Sequence, residues 1–403
     1  MRELAERPRQ RFVIGLLTLQ GTKLVVSLLA ARLLAPNEFA DWGRLLLIVQ
    51  YSAYAQLGVT MAVNRDVAVL VASDRTEQAR RLMGAALFVA VAGTSIFATA
   101  FVLELEAADA LQAAAFALLP VLTAVVLLNQ AILRSLHRFK DASTLLLLEA
   151  LGWGSVVTGI LAWDASLRFV IGIDVVLAGV AIWSLSRTVR WFGRFTGRDV
   201  VAAVASGLPL SVSAAVATLR QTGDLLLANA MYSSFVFAGL VLAATFLRIL
   251  YFLPTLTTML WFPDLGRAFG AGGFDALRAR TRTILRRYVP AVGVGLVVLL
   301  GVTALAVTFP LSEYRELRTL ILTKVAAEGL AMAASVCVLY LAVLRRLRMV
   351  ILANLAGGLP YAALAFAGDP SQRELVAAIV ASSLIYTLGV GVGYAIYTRD
   401  VSS

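Results

Sequence analysis

Long apolar stretches recur along the whole chain, and short polar connections separate them. The first two lie within residues 12–66 and meet at a polar corner, Pro36–Asp41. Each is about 20 residues long, the length a helix needs to cross about 30 Å of hydrocarbon. Neither has the broad polar face of a soluble amphipathic helix. The same pattern predicts twelve transmembrane helices, at residues 12–34, 44–64, 82–103, 110–133, 142–163, 169–186, 201–227, 235–261, 288–309, 319–344, 349–367 and 375–397.

Composition agrees with an all-α polytopic membrane protein. Hydrophobic residues make up 60% of the chain and charged residues 15%, with a mean hydropathy of +0.85. Soluble domains average about 45–50% apolar residues. The net charge of +11 resides in short arginine clusters between apolar stretches, which indicates membrane topology and not nucleic-acid binding.

The basic residues alternate from one connection to the next. About 25 of the 35 Lys and Arg residues lie in the N-terminus and every second connection, and about five lie in the others. Because positive loops stay inside, both termini are expected in the cytoplasm. The basic start followed by Phe12–Leu34 is interpreted as an uncleaved first span, since this apolar stretch is too long for a signal peptide.

Cysteine and histidine are nearly absent, which excludes whole classes of chemistry. Cys337 is the single cysteine and His137 the single histidine. A single cysteine excludes a disulfide within the chain, and because His137 lies in a basic loop we expect neither a histidine-based metal site nor a catalytic triad. We expect no catalytic residues, no metal site and no cofactor.

Weakly matching motifs suggest an internal duplication. Two lobes of six helices are predicted, residues 1–195 and 196–403, which meet at a linker over 187–199. The basic connections 187–198 and 274–288 have apolar residues at helical spacing, which predicts helices lying in the membrane interface. Anionic inner-leaflet lipids are their expected partner, with ordinary positive-inside anchoring as the alternative.

Charged residues inside spans are candidates for function because burying a charge in lipid is costly. The predicted substrate-binding residues are the basic ones, Lys23, Arg32, Arg220, Arg248 and Lys324. The candidates for ion coupling are the acidic ones, Glu149, Asp174, Asp224 and Glu328. Lys23 and Arg248, at similar depths in opposite halves, are the preferred ligand residues.

Two alternatives remain open at this stage. Arg220 with Asp224, and Lys324 with Glu328, are spaced i, i+4 and can neutralise each other within one helix. Arg32 lies near the end of its span and can extend to the membrane surface. If the basic side chains instead line a cavity, that interior is cationic and suits phosphate, pyrophosphate or acidic sugars.

The first hairpin resembles a known family. Ala31–Gly43 (ARLLAPNEFADWG), followed by Leu57-Gly58 and Asn64-Arg65-Asp66, resembles the polysaccharide-biosynthesis flippases, the Wzx-type transporters of the MOP superfamily. Ala35 and Ala40 stand where that family has glycines. In the second half, Gly207-Leu208-Pro209 through Asp224 resembles the seventh helix of the family.

This resemblance implies a two-lobed, MATE-like helical transporter that moves polyprenyl-pyrophosphate-linked oligosaccharide between leaflets by alternating access. Arg32 aligns with the arginine of the family's first helix, and other proteins of polysaccharide assembly are candidate partners. The alternatives are a cation-coupled drug or metabolite exporter and a lipid II-type flippase, whose family usually has two further helices. An enzyme of the same pathway is disfavoured because the chain has no large loop to carry its chemistry.

Overall fold

The computed structural model describes residues 2–102, 110–344, 346–367 and 370–399, and this part of the chain is helical without a strand. Fifteen α-helices follow one another in these ranges: α1 (Arg2–Leu33), α2 (Pro36–Ala55), α3 (Val59–Ala62), α4 (Ala68–Ala72), α5 (Thr76–Val102), α6 (Ala110–Ser135), α7 (Phe139–Gly152), α8 (Thr158–Trp163), α9 (Phe169–Thr188), α10 (Gly197–Met231), α11 (Ser234–Thr308), α12 (Arg318–Ala331), α13 (Ser335–Val343), α14 (Leu347–Ala365) and α15 (Gln372–Arg399). Two π-helical turns, Val63–Val67 and Trp153–Val157, connect α3 to α4 and α7 to α8.

These helices supply the predicted membrane spans. Eleven helical segments of the described residues are long and apolar enough to cross a membrane, and one bent pair of helices makes a twelfth. The prediction of an all-α, multi-pass membrane protein with about twelve spans is thus confirmed.

The second predicted span in chain order, which corresponds to this bent pair, is broken. Residues 44–64 are predicted to form one continuous helix, but the chain bends by 61° between Pro36–Ala55 and Val59–Val71. Leu57 and Gly58 have positive φ angles of 51° and 76° at the bend. Two successive residues in the left-handed region interrupt the right-handed helix, so the Leu57-Gly58 pair divides the span.

Neither of the two longer basic connections forms the interfacial helix predicted for it. Residues 274–288 belong to the continuous helix α11, and Leu277, Ile284 and Tyr288 are buried in a core cluster with Val336 and Tyr340. Their apolar face is thus covered by protein and not by lipid. Residues 192–196, in the other connection, are not helical, and the backbone N–H of Gly193 donates to the carbonyl of Arg80.

The chain divides into two compact units, Met1–Ala215 and Val216–Ser403. The division falls within α10, whereas the lobes were predicted to meet between residues 195 and 196. Unit 1 has a core around Val63, Met83 and Leu128 on three successive spans, and unit 2 has the core of Leu277 and Tyr340.

Candidate functional site

Four buried charged side chains form one network in unit 2. Arg220 and Asp224 are one turn apart on α10, and Lys324 and Glu328 are one turn apart on α12, so each pair projects from one face of its helix. All four are at most 3% exposed. These four side chains are called the unit 2 network.

Arg220 pairs with the neighbouring helix and not with Asp224. Its Nη1 and Nη2 lie 3.1 Å and 3.2 Å from the two carboxylate oxygens of Glu328, and Nε donates to Asn354 Oδ1 at 3.1 Å. The guanidinium carbon lies 4.2 Å from the ring centroid of Tyr386, within cation–π range. Ser383 donates to Glu328 at 3.4 Å. The guanidinium is therefore held on one edge by a carboxylate and on one face by an aromatic ring.

Lys324 makes the second connection between these helices. Its Nζ donates to Asp224 Oδ1 at 2.9 Å and to the backbone carbonyl of Gln221 at 3.0 Å, and it lies 3.8 Å from Glu328 Oε1. Two cations thus face two carboxylates, so the network is neutral when all four groups are ionised. Lys324 and Glu328 on α12 are therefore close enough to interact within one helix, at 3.8 Å. The shorter contacts, Lys324 with Asp224 and Arg220 with Glu328, join α10 to α12.

A cavity of about 210 Å³ adjoins this network. Its polar lining includes Arg220, Glu328, Tyr251, Tyr386 and Ser335, and the apolar lining includes Met332, Val338 and Leu339. Arginine has five N–H donors. Three of the N–H groups of Arg220 donate to the acceptors described above, and the same residue lines the cavity.

Unit 1 has its own buried ion pair. Lys23 Nζ lies 2.6 Å from Glu149 Oε1 and 5.2 Å from the ring centroid of Trp153. The Lys23 side chain is 25% exposed and that of Glu149 is 5% exposed. Trp153 begins the π-helical turn that follows α7, and such turns are frequent at functional sites.

Asp174 differs from the other buried acids. It is 7% exposed, and neither carboxylate oxygen has a hydrogen-bond partner among the described residues. Burying an ionised carboxylate without a partner is costly, so such a group is a candidate for binding a proton or a cation.

The remaining two basic candidates are Arg32 and Arg248. Arg32 is exposed in the last turn of α1. Arg248 is half-buried on α11, one turn before the cavity residue Tyr251.

The sequence predicts that Lys23, Arg220 and Lys324 make the interior cationic, and the structure places a carboxylate beside each of them. The acids Glu149, Asp224 and Glu328 were assigned to ion coupling, and the structure makes them the partners of these cations. The separate roles of these residues in substrate binding and ion coupling stay predictions.

Sequence reasoning missed the neutral residues around the unit 2 network. Asn354, Ser383 and Tyr386 are polar or aromatic residues on α14 and α15, and all three contact Arg220 or Glu328. A search for uncharged polar residues within predicted spans would have found Asn354 and Ser383. It would not have paired them with Arg220, because the contacts join residues far apart in the chain.

The two stretches that carry the family resemblance meet in unit 1. A Cβ atom added to Gly58 would lie 2.2 Å from the carbonyl oxygen of Gly207, and one added to Gly207 would lie 2.3 Å from that of Gly58. Nearby, Arg65 Nη2 donates to Ser206 Oγ at 2.6 Å, and Ser206 Oγ donates to Asp66. The broken second span and the start of α10 are thus packed backbone to backbone.

Comparison with known proteins gives fold-level similarity. Neither a family profile nor a curated protein sequence matches the chain. Among solved structures, an inward-facing multidrug resistance MATE transporter of the MOP superfamily has a TM-score of 0.69 at 11% identity, over 94% of this chain and 93% of that one. The lipid II flippase MurJ in an inward closed conformation has a TM-score of 0.66 at 13% identity, over 97% of this chain and 87% of that one.

A third structure extends the same similarity to nearly the full length of both chains. The Vibrio cholerae MATE transporter VcmN in its bent form has a TM-score of 0.61 at 15% identity, over 99% of this chain and 98% of that one. The chain therefore shares the fold of these solved transporters.

Proposed function

We propose that this protein is a flippase that moves a polyprenyl-linked oligosaccharide across the bacterial plasma membrane by alternating access. The fold supports a role as a transporter. It is shared about equally with a flippase and with a multidrug transporter, so it does not by itself distinguish these two cargo classes. The observation that favours a saccharide cargo is the Ala31–Gly43 hairpin, which resembles the polysaccharide flippases.

The chemistry of unit 2 is compatible with such a cargo. The cavity beside Arg220 and Glu328 presents hydrogen-bonding groups with no excess charge, together with aromatic rings and aliphatic side chains. The hydroxyl groups of a sugar can bond to the hydrogen-bonding groups, and its C–H surface can pack on the aromatic rings and aliphatic side chains. An anionic head group would gain less here than the sequence suggested, because Glu328 and Asp224 already neutralise the two cations.

The proposed orientation has both termini in the cytoplasm. Arg280, Arg282, Arg286 and Arg287 are exposed on α11, while Ile284 between them is buried and Leu285 is partly buried. These arginines would contact anionic inner-leaflet lipid at about 1 kcal/mol for each basic residue near the surface. No covalent step is needed, since a flippase moves its cargo without changing it.

Asp174 favours a second candidate function, a cation-coupled exporter of drugs or metabolites. A buried carboxylate without a described partner can attract a proton or an organic cation. Glu149, Asp224 and Glu328 suit that role less well because each already has a basic partner.

One experiment separates the two functions. The purified protein is reconstituted into liposomes that contain a fluorescent polyprenyl-pyrophosphate saccharide in both leaflets, and loss of outer-leaflet label is followed with a membrane-impermeant quencher. Protein-dependent transbilayer movement supports the flippase. If no movement is seen, while an expressing strain gains resistance to cationic drugs, the exporter is favoured and the flippase proposal fails.

A further inference from the structure

The ammonium of Lys324 lies in a shell of oxygen atoms. Asp224 Oδ1 is at 2.9 Å, the carbonyl oxygen of Gln221 is at 3.0 Å, and Glu328 Oε1 is at 3.8 Å. The lysine side chain is 1% exposed, so protein surrounds it almost completely. Carboxylate and backbone carbonyl oxygens are also the groups that replace the hydration shell of a bound metal cation.

Among the four charged groups of the network, the charges balance only when the ammonium is present. Asp224 and Glu328 contribute two negative charges, and Arg220, paired to Glu328, contributes one positive charge. The other side chains described around these four, Asn354, Ser383, Tyr251 and Tyr386, are neutral. Without Lys324 the buried cluster would carry one uncompensated negative charge, which is strongly unfavourable in a dry interior.

We propose that Lys324 occupies the place of a bound monovalent cation in unit 2. The wild-type protein then needs no free Na⁺ or K⁺ at this position, and shortening Lys324 creates a site for a small monovalent cation. The proposal does not depend on the cargo. If transport is coupled to an ion, the ion binds elsewhere, and Asp174 is then the buried carboxylate to examine.

The test uses the full-length protein in detergent and measures its thermal unfolding midpoint. The salts are NaCl, KCl, methylammonium chloride and choline chloride at equal ionic strength, since choline is too large to replace an ammonium group. The wild type and Lys140→Ala, which removes an exposed lysine, should have the same midpoint in all four salts. Lys324→Ala should unfold at a lower temperature in choline, and Na⁺, K⁺ or methylammonium should raise its midpoint saturably.

A double variant tests whether the rise of the Lys324→Ala midpoint with small cations depends on the negative charge of the shell. In Lys324→Ala with Asp224→Asn, only the neutral Arg220–Glu328 pair remains, so the midpoint should no longer depend on the cation. A midpoint for Lys324→Ala that is equal in choline and in the small cations would overturn the proposal.

The wild type gives a separate answer if Lys324→Ala does not fold. A saturable rise of the wild-type midpoint with Na⁺ or K⁺ that is absent from Asp224→Asn would show that a free cation binds beside Lys324, and the proposal would be wrong. Equal wild-type midpoints, together with a folded, cation-independent double variant, support it. Neither readout involves transport, so failure of the flippase proposal leaves this result unaffected.

Discussion

Arg220 and Glu328 form a two-pronged ion pair between α10 and α12, with Nη1 and Nη2 at 3.1 Å and 3.2 Å from the two carboxylate oxygens. Parallel N–H···O bonds of this kind fix the geometry of both side chains. Both residues are almost fully buried, so each compensates the other's charge away from solvent, and Lys324 also lies 3.8 Å from Glu328.

We expect Arg220→Met to lower the free energy of unfolding by about 3–5 kcal/mol, because Glu328 would remain buried with its principal partner lost. The double variant with Glu328→Leu should recover part of that loss, since no charge is then left unpaired by the change. The measurement is chemical or thermal unfolding of the purified protein in detergent. Arg286→Met, at an exposed arginine of the same unit, is the control. Equal losses from both single arginine variants would contradict the assignment.

The Lys23–Glu149 pair should respond asymmetrically to its two single substitutions. Lys23→Met leaves a carboxylate that is 5% exposed, whereas Glu149→Gln leaves an ammonium that is 25% exposed and can extend toward water. We expect a cost of about 2–3 kcal/mol for Lys23→Met and about 1 kcal/mol for Glu149→Gln in the free energy of unfolding.

A more exposed pair serves as the control for that comparison. Arg44 and Asp41 are paired with side chains that are 30% and 37% exposed, so Arg44→Met should cost about 0–1 kcal/mol. The asymmetry is the decisive result. If Glu149→Gln proves the more costly change, the carboxylate is not the deeply buried partner.

Asp174→Leu is expected to raise the unfolding temperature, because it removes a buried carboxylate without a described hydrogen-bond partner. If Asp174 carries the coupling ion, the same variant loses the dependence of transport on an imposed proton or sodium gradient. Both are measured on one preparation, by thermal unfolding and by uptake into liposomes with and without a gradient.

The exposed Asp74→Asn variant is the control and should leave both readouts unchanged. A lower unfolding temperature for Asp174→Leu would mean that the carboxylate has a stabilising partner. Gradient-driven transport that persists in the variant would remove Asp174 from the coupling mechanism.

Gly58 should be far less tolerant of alanine than Gly273, although both have positive φ angles of 76° and 62°. Alanine at Gly273 should cost only about 1–2 kcal/mol in the free energy of unfolding, from the left-handed backbone conformation. No described neighbour lies within 4 Å of the added Cβ. At Gly58 the Cβ would also meet the Gly207 carbonyl at 2.2 Å. The yield of monodisperse protein and its melting temperature measure the difference.

Gly159→Ala completes that series, since Gly159 has neither a positive φ angle nor a close neighbour. It should match or slightly exceed the wild type in stability, as alanine favours helix. If Gly58→Ala were no worse than Gly273→Ala, the backbone-to-backbone packing of Gly58 and Gly207 would not be required for folding.

The apolar pattern of the chain was sufficient to predict its helices. A span must satisfy its own backbone hydrogen bonds and cover about 30 Å of hydrocarbon, so length and hydropathy reveal it locally. This is why all twelve predicted spans have a counterpart among the helices, including the broken one. Similarly, the cost of burying charge was enough to single out Lys23, Arg220, Lys324 and Glu328 as unusual.

The tertiary structure alone decided which of these charges meet. Arg220 and Glu328, or Lys23 and Glu149, are more than a hundred residues apart, and their contact depends on how whole helices pack and rotate. Hydropathy contains no information about that rotation, so the sequence could not show that these cations have carboxylate partners on other helices. It also could not show that the apolar face of 274–288 meets protein, since lipid and a protein core favour the same side chains.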